Sequence, residues 1–117
     1  MKILLDECIP RKLKYLPAGS RVPDRECQTV PEAGLAGKKN GALLGLAESA
    51  GFEIFVTMDK GLEYEQNLAG RSIAILILRA KSNRLADLLP LVPDLLRTMN
   101  LARKGEIHRI SGGQSPS

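Results

Sequence analysis

Carboxylates follow two of the apolar runs in this chain, and a polar, basic segment follows a third. Asp6 and Glu7 come directly after Ile3-Leu4-Leu5. Asp59, with Lys60, comes after Phe52 to Thr57. Arg79, Lys81, Ser82, Asn83 and Arg84 follow Ile73 to Leu78. If each run is a strand of one parallel sheet, these residues gather at its carboxyl edge, where open parallel sheets bind ligands. Neighbouring carboxylates repel, and a divalent cation or a raised pKa is the usual relief. Oxygen-only ligands suit Mg²⁺ or Mn²⁺, which keep several waters and accept a phosphate oxygen. Such an ion lowers the pKa of a bound water and stabilises charge on a phosphodiester. Lys60, Arg79, Lys81 and Arg84 at the rim would then hold a polyanionic backbone.

A plainer reading applies to each residue alone. Asp59-Lys60-Gly61 is also an ordinary turn sequence, and Asp6 is also a good acceptor for backbone N–H groups. It is the pair at one sheet edge that points to chemistry. Glu48, late on a helix, reads as solvated surface. His108 sits on a terminal strand away from the acids and takes no catalytic role. Cys8 reads as a buried structural thiol, because a nucleophilic Cys needs a base and His108 is the only histidine. Gly34-Leu35-Ala36-Gly37-Lys38-Lys39 is not a phosphate loop: Glu32 stands where the first Gly belongs and Lys39 where Ser or Thr would bind the metal. Gln66, Asn67 and Arg71 form a polar cluster that either lines the crevice or caps local backbone.

The elements that must position these residues alternate. Continuous apolar runs mark strands buried on both faces, here Ile3–Leu5, Phe52–Thr57 and Ile73–Leu78. The last is the most apolar and reads as central. Cys27–Val30 adds a short strand and Glu106–Ile110 an edge strand. Pro10 opens a helix with Ile9, Leu13 and Leu16 on one face, and residues 21–26 read as loop. Asn40 is a candidate N-cap for a helix ending at Gly51, and residues 62–69 hold a short helix. Ser82 is the candidate cap of a helix whose apolar face is Leu85, Leu88, Leu89, Val92, Leu95, Leu96 and Met99. Pro90 and Pro93 fit if a second helix begins near Pro90. This order predicts an α/β fold around a mainly parallel sheet of four or five strands, spanning residues 1–110, with 111–117 a disordered tail.

The chain has 117 residues, room for one core. An apolar fraction of 44% excludes a disordered chain. The net charge of +4 permits a polyanionic partner without requiring one. Only Tyr15, Phe52, Phe55 and Tyr64 are aromatic, which argues against a base-stacking platform. No apolar run is long enough for a membrane span and the start is unlike a signal peptide. Cys8 and Cys27 show no metal spacing, so a reduced, cytoplasmic setting is expected.

Three segments resemble the small PIN-like proteins of bacteria, relatives of the VapC-type toxin ribonucleases. They are Met1-Lys2-Ile3-Leu4-Leu5-Asp6-Glu7-Cys8-Ile9-Pro10, Pro31-Glu32-Ala33-Gly34-Leu35-Ala36-Gly37 and Val56-Thr57-Met58-Asp59-Lys60-Gly61-Leu62. The resemblance spans roughly residues 1–110 and implies a PIN-like three-layer α/β/α sandwich. It also implies an Mg²⁺ or Mn²⁺ site, single-stranded RNA as substrate and a cognate small DNA-binding antitoxin as partner. Asp6 and Asp59 match the family's first-strand and third-strand acids. The chain departs from the pattern at Asn40-Gly41 and at Gly61, where relatives commonly place acids. Fewer anions bind a metal more weakly.

These readings give a first hypothesis of a metal-dependent endoribonuclease of a toxin-antitoxin system. Asp6 and Asp59 would bind the metal, with Glu7 as a further catalytic acid. Asn40 and Asn67 would orient water or phosphate. Lys60, Arg79, Ser82, Asn83 and Arg84 would contact substrate. The alternative is a catalytically degenerate PIN-like module that binds nucleic acid or an antitoxin without cleavage. A third is phosphoryl chemistry on a small substrate at the same edge. A homodimer is compatible with all three.

Overall fold

The apolar runs become five strands of one sheet. The computed structural model describes residues 2–15, 26–38, 40–59 and 71–111. The strands are β1 (Lys2–Leu5), β2 (Glu26–Thr29), β3 (Ile54–Thr57), β4 (Ala74–Leu78) and β5 (Ile107–Ile110). They lie in the order β2-β1-β3-β4-β5, and every neighbouring pair is parallel. Parallel strands cannot be joined by tight hairpins, so the connections must cross the faces and carry the helices. The α-helices among the described residues are α1 (Asn40–Ser49), the single turn α2 (Leu85–Leu88) and α3 (Val92–Leu101). Short 3₁₀ helices cover Arg11–Tyr15 and Leu89–Leu91.

The two-residue period of a strand sorts its side chains to opposite faces. From β4, Ala74, Leu76 and Leu78 join one apolar cluster and Ile75 and Ile77 join the other. The first cluster also holds Ile3, Leu5, Ile54 and Val56, covered by Leu13, Leu88, Val92, Leu95 and Met99. The second holds Leu4 and Phe55, covered by Leu43, Leu44 and Ala47 of α1 and by Leu35. Both faces of the sheet are therefore dry, which explains why β1, β3 and β4 show no polar alternation. The chain is an α/β protein with an all-parallel five-stranded sheet.

Several expectations shift. β3 is the middle strand, with β4 beside it. Glu26 belongs to β2 rather than to a loop, and Val30 follows that strand. Leu89 is 44% exposed and leaves the apolar face assigned to it, because the 3₁₀ turn at Pro90 breaks the α-helical phase. Ser82 does not cap α2, whose N-cap is Arg84. Pro93 does sit in the first turn of α3, where its missing N–H costs nothing. Gly51 ends α1 at φ +89, a left-handed conformation that glycine adopts without Cβ strain. The expected helix at 62–69 and residues 112–117 lie outside the described residues. None of the described helices is long and apolar enough to cross a membrane.

Candidate active site

The strand order turns at β1. From there the chain first adds β2 on one side, then β3, β4 and β5 on the other. In such sheets the loops leaving the two strands at the reversal part in opposite directions and open a crevice at their carboxyl ends. Those strands are β1 and β3, paired with Leu5 opposite Val56. The residues that leave them are Asp6 and the segment Met58-Asp59. The Asp6 N–H donates to the Val56 carbonyl at 2.9 Å, carrying the ladder one residue beyond β1.

Thr57 joins the two acids. It is fully buried at the end of β3. Its hydroxyl donates to Asp6 Oδ2 at 2.6 Å and accepts the Asp59 N–H at 3.0 Å. A hydroxyl has one proton and two lone pairs, so this assignment uses it as both donor and acceptor. Asp6 Oδ1 accepts the Glu7 N–H at 2.7 Å. The Cys8 thiol lies 3.8 Å from Oδ2. Asp6 is thus the acid turned toward β3, whereas Glu7 is exposed. Among the described residues every donor to Asp6 is neutral, and no Lys or Arg forms an ion pair with it. An ionised carboxylate offers about four lone-pair positions, so Asp6 keeps acceptor capacity toward a cation.

Burial pushes the Cys8 thiol above its ordinary pKa and the nearby Asp6 charge adds to this, outweighing hydrogen bonding at Met58 and Thr57. Cys8 therefore stays a neutral thiol at neutral pH, as a half-buried structural cysteine should, and not a nucleophile.

The loop after β4 reaches the same edge. Asn83 Nδ2 donates to the Cys8 carbonyl at 3.0 Å, tying this loop to the one after β1. The Ser82 hydroxyl donates to Asp87 Oδ2 at 2.5 Å and accepts the Arg84 N–H at 3.0 Å, so it shapes the loop. Arg79, Lys81 and Arg84 are exposed. Asn40 is the first residue of α1. The other end of α1 meets the amino edge of the sheet, where Lys2 Nζ donates to the Ala50 carbonyl at 2.7 Å. At 1.5 Å per residue, Asn40 lies about 15 Å away, toward the carboxyl edge. The side chain of Asn40, and Lys60, Gln66 and Asn67 entirely, lie outside the described residues.

One surface expectation is corrected. Glu48 is not a solvated carboxylate. It accepts from Arg71 Nη1 at 2.6 Å, from the Ser72 N–H at 2.6 Å and from the Ser72 hydroxyl at 3.2 Å. Its partial burial alone would raise its pKa, but these hydrogen bonds and the Arg71 charge win and hold it below the usual carboxylate value. Arg71 accordingly does not line the crevice. It precedes β4 at the amino edge and closes the end of α1 against the sheet. His108, on β5, pairs through Nε2 with Glu106 Oε1 at 3.0 Å, away from the acids. The segment 31–37 is a set of tight turns rather than a phosphate loop, with Leu35 buried and its N–H on the Val30 carbonyl at 3.0 Å.

Thr57 is the residue that sequence reasoning missed. The only signal was its place two residues before Asp59 at the end of an apolar run. Among the described residues no three His, Cys, Asp or Glu side chains group as a metal cage. Mg²⁺ needs no such cage: it is commonly held by one or two carboxylates together with waters and substrate phosphate. The donor set of Asp6 and Asp59 fits that mode. No protein-family model matches this chain, and no curated protein or solved structure matches it either.

Proposed function

We propose that the protein is a metal-dependent endoribonuclease acting on single-stranded RNA, with a PIN-like three-layer α/β/α architecture. The observation that supports this reading best is the placement of Asp6 and Asp59. They leave adjacent parallel strands at the point where strand order reverses, linked through the buried Thr57. Two of the three sequence segments that resemble PIN-like ribonucleases contain these same residues.

In this reading Asp6 and Asp59 hold Mg²⁺ or Mn²⁺. When bound, the ion supplies a water of lowered pKa and stabilises charge on the phosphodiester. Thr57 holds the Asp6 carboxylate in one orientation, and the neutral donors around it leave its charge for the ion. Glu7, exposed beside Asp6, orients water. Asn40 and Asn67 orient water or phosphate, and Lys60, Arg79, Asn83 and Arg84 steady the RNA backbone. The partner is a small DNA-binding antitoxin and the setting is cytoplasmic.

A second reading is a module of the same fold that binds nucleic acid or an antitoxin without cleaving. Asn40-Gly41 at the head of α1, where relatives commonly carry an acid, favours it. Incubating purified protein and Mn²⁺ with labelled single-stranded RNA separates the two. The nuclease reading expects cutting that chelator stops and that Asp6→Asn abolishes. Equal cutting by the wild type and Asp6→Asn refutes the metal-site assignment, and no cutting with RNA still bound selects the module.

A further inference from the structure

Asn83 Nδ2 holds the Cys8 carbonyl at 3.0 Å, so the loop after β4 and the loop after β1 form one surface. Both continue into segments packed on the same sheet face. Ile9 and Leu13 from one, and Leu88 and Leu91 from the other, share the cluster that also contains Leu5 and Leu78. Cations stand among their outward residues. Arg11 and Lys12 of the first 3₁₀ helix are exposed, and so are Lys81 and Arg84. Among the described residues none of these four is in an ion pair. The extended chain spans at most about 3.6 Å per residue. Arg11 is three residues from Cys8, and Lys81 and Arg84 are within two of Asn83. Each of these three therefore has its backbone within about 11 Å of the Asn83–Cys8 contact, and Lys12 follows directly. The acids nearby are Asp6 and Asp59 of the site itself, Glu7 and Asp87. Glu7 is exposed, while Asp87 accepts from Ser82.

A protein surface does not ordinarily gather unpaired like charges, since their self-repulsion costs stability. Here the gathering borders the Asp6 carboxylate. We infer that Arg11, Lys12, Lys81 and Arg84 form a phosphate-tracking surface that carries the backbone of single-stranded RNA past Asp6, on the side of the sheet covered by α3. This rests on the ribonuclease reading for its choice of RNA and adds the path of the strand. Contacts from Lys and Arg to phosphate carry no sequence information, so the grip they supply is electrostatic and blind to base identity.

The test is fluorescence anisotropy of a labelled oligouridylate in chelator, which removes cleavage from the readout. Two double variants, Arg11→Ala with Lys12→Ala and Lys81→Ala with Arg84→Ala, are compared with the wild type and with Arg103→Ala with Lys104→Ala. The last pair lies between α3 and β5, at the amino edge. Thermal melts check that each variant is folded. Each carboxyl-edge pair should weaken binding about tenfold at low salt and lower the log–log salt slope by about 1.4, at roughly 0.7 per lost phosphate contact. The amino-edge pair should leave both quantities unchanged. Equal losses from all three pairs, or none from the carboxyl-edge pairs, overturns the surface. Position-selective binding without Mn²⁺-dependent cutting keeps the surface and rejects the nuclease, while cutting without position-selective binding does the reverse.

Discussion

The two edges of the sheet treat their charged residues differently. At the amino edge, Glu48 and Lys2 meet opposite charge or helix carbonyls. Glu48 is closed by Arg71 and Ser72, and Lys2 caps the last turn of α1 through the Ala50 carbonyl while its ammonium lies 4.6 Å from the centre of the Phe52 ring. At the carboxyl edge, Asp6 is held, among the described residues, only by neutral donors from Glu7, Thr57 and Cys8. An ion pair spends the charge of both members on the fold. A carboxylate oriented by an N–H and a hydroxyl keeps its charge for something else. Identical chemical groups therefore serve stability at one edge and leave a site at the other. The largest test of this contrast is Asp6→Asn, which should lower Mn²⁺-dependent RNA cleavage at least about 100-fold, equivalent to about 2.7 kcal/mol. Chemical denaturation should detect a smaller loss, about 0.5–1.5 kcal/mol, since the amide oxygen keeps one of the two acceptor roles and the NH2 group cannot take the other.

Thr57→Val removes the buried hydroxyl at the carboxyl edge that orients Asp6 and accepts the Asp59 N–H. It deprives Asp6 and the Asp59 N–H of a buried partner and should cost about 1–3 kcal/mol. It should also reduce cleavage, so activity and stability fall together, whereas Asp6→Asn should lose activity far more than stability. Arg71→Ala probes the opposite edge. It leaves Glu48 partly buried without its cation and should cost about 1–2 kcal/mol in urea unfolding. RNA cleavage by the folded variant should match the wild type. If Arg71→Ala lowered cleavage at full stability, the division between the edges would be wrong.

The same pair gives a pH signature. The Glu48 carboxyl lies below its ordinary value in the fold. Its contribution is therefore present above the unfolded-state pKa and lost as pH falls through the lower folded value. The stability gap between wild type and Glu48→Gln should be constant near neutral pH and close in acid. Gly51→Ala, at the end of α1, should cost about 1 kcal/mol through its positive φ, without touching cleavage.

The sheet was legible because burial on both faces writes it directly. Leu4 between Ile3 and Leu5, and Ile73 through Leu78, leave no polar position for water. The carboxyl-edge acids were legible for a related reason, since a charge that ends an apolar run must mark a strand end. What the chain does not announce is contact across distance. Thr57 reads as a β-branched strand residue, and nothing local shows a partner 51 residues away. Glu48 looks solvated on its helix because Arg71 and Ser72 arrive from 23 and 24 residues further on. Ser82 looked like a helix cap by residue type, but its hydroxyl turned to Asp87 and α2 began later. Leu89 fitted a helical period that the turn at Pro90 interrupts.

The central claim is that Asp6 keeps its charge for a divalent cation at the β1–β3 crevice. Titration calorimetry of Mn²⁺ into the wild type, Asp6→Asn and Glu48→Gln addresses it without requiring any substrate. Binding in the wild type and in Glu48→Gln, with loss in Asp6→Asn, is the expected result. Equal binding by all three proteins, or none by the wild type at millimolar Mn²⁺, would contradict it.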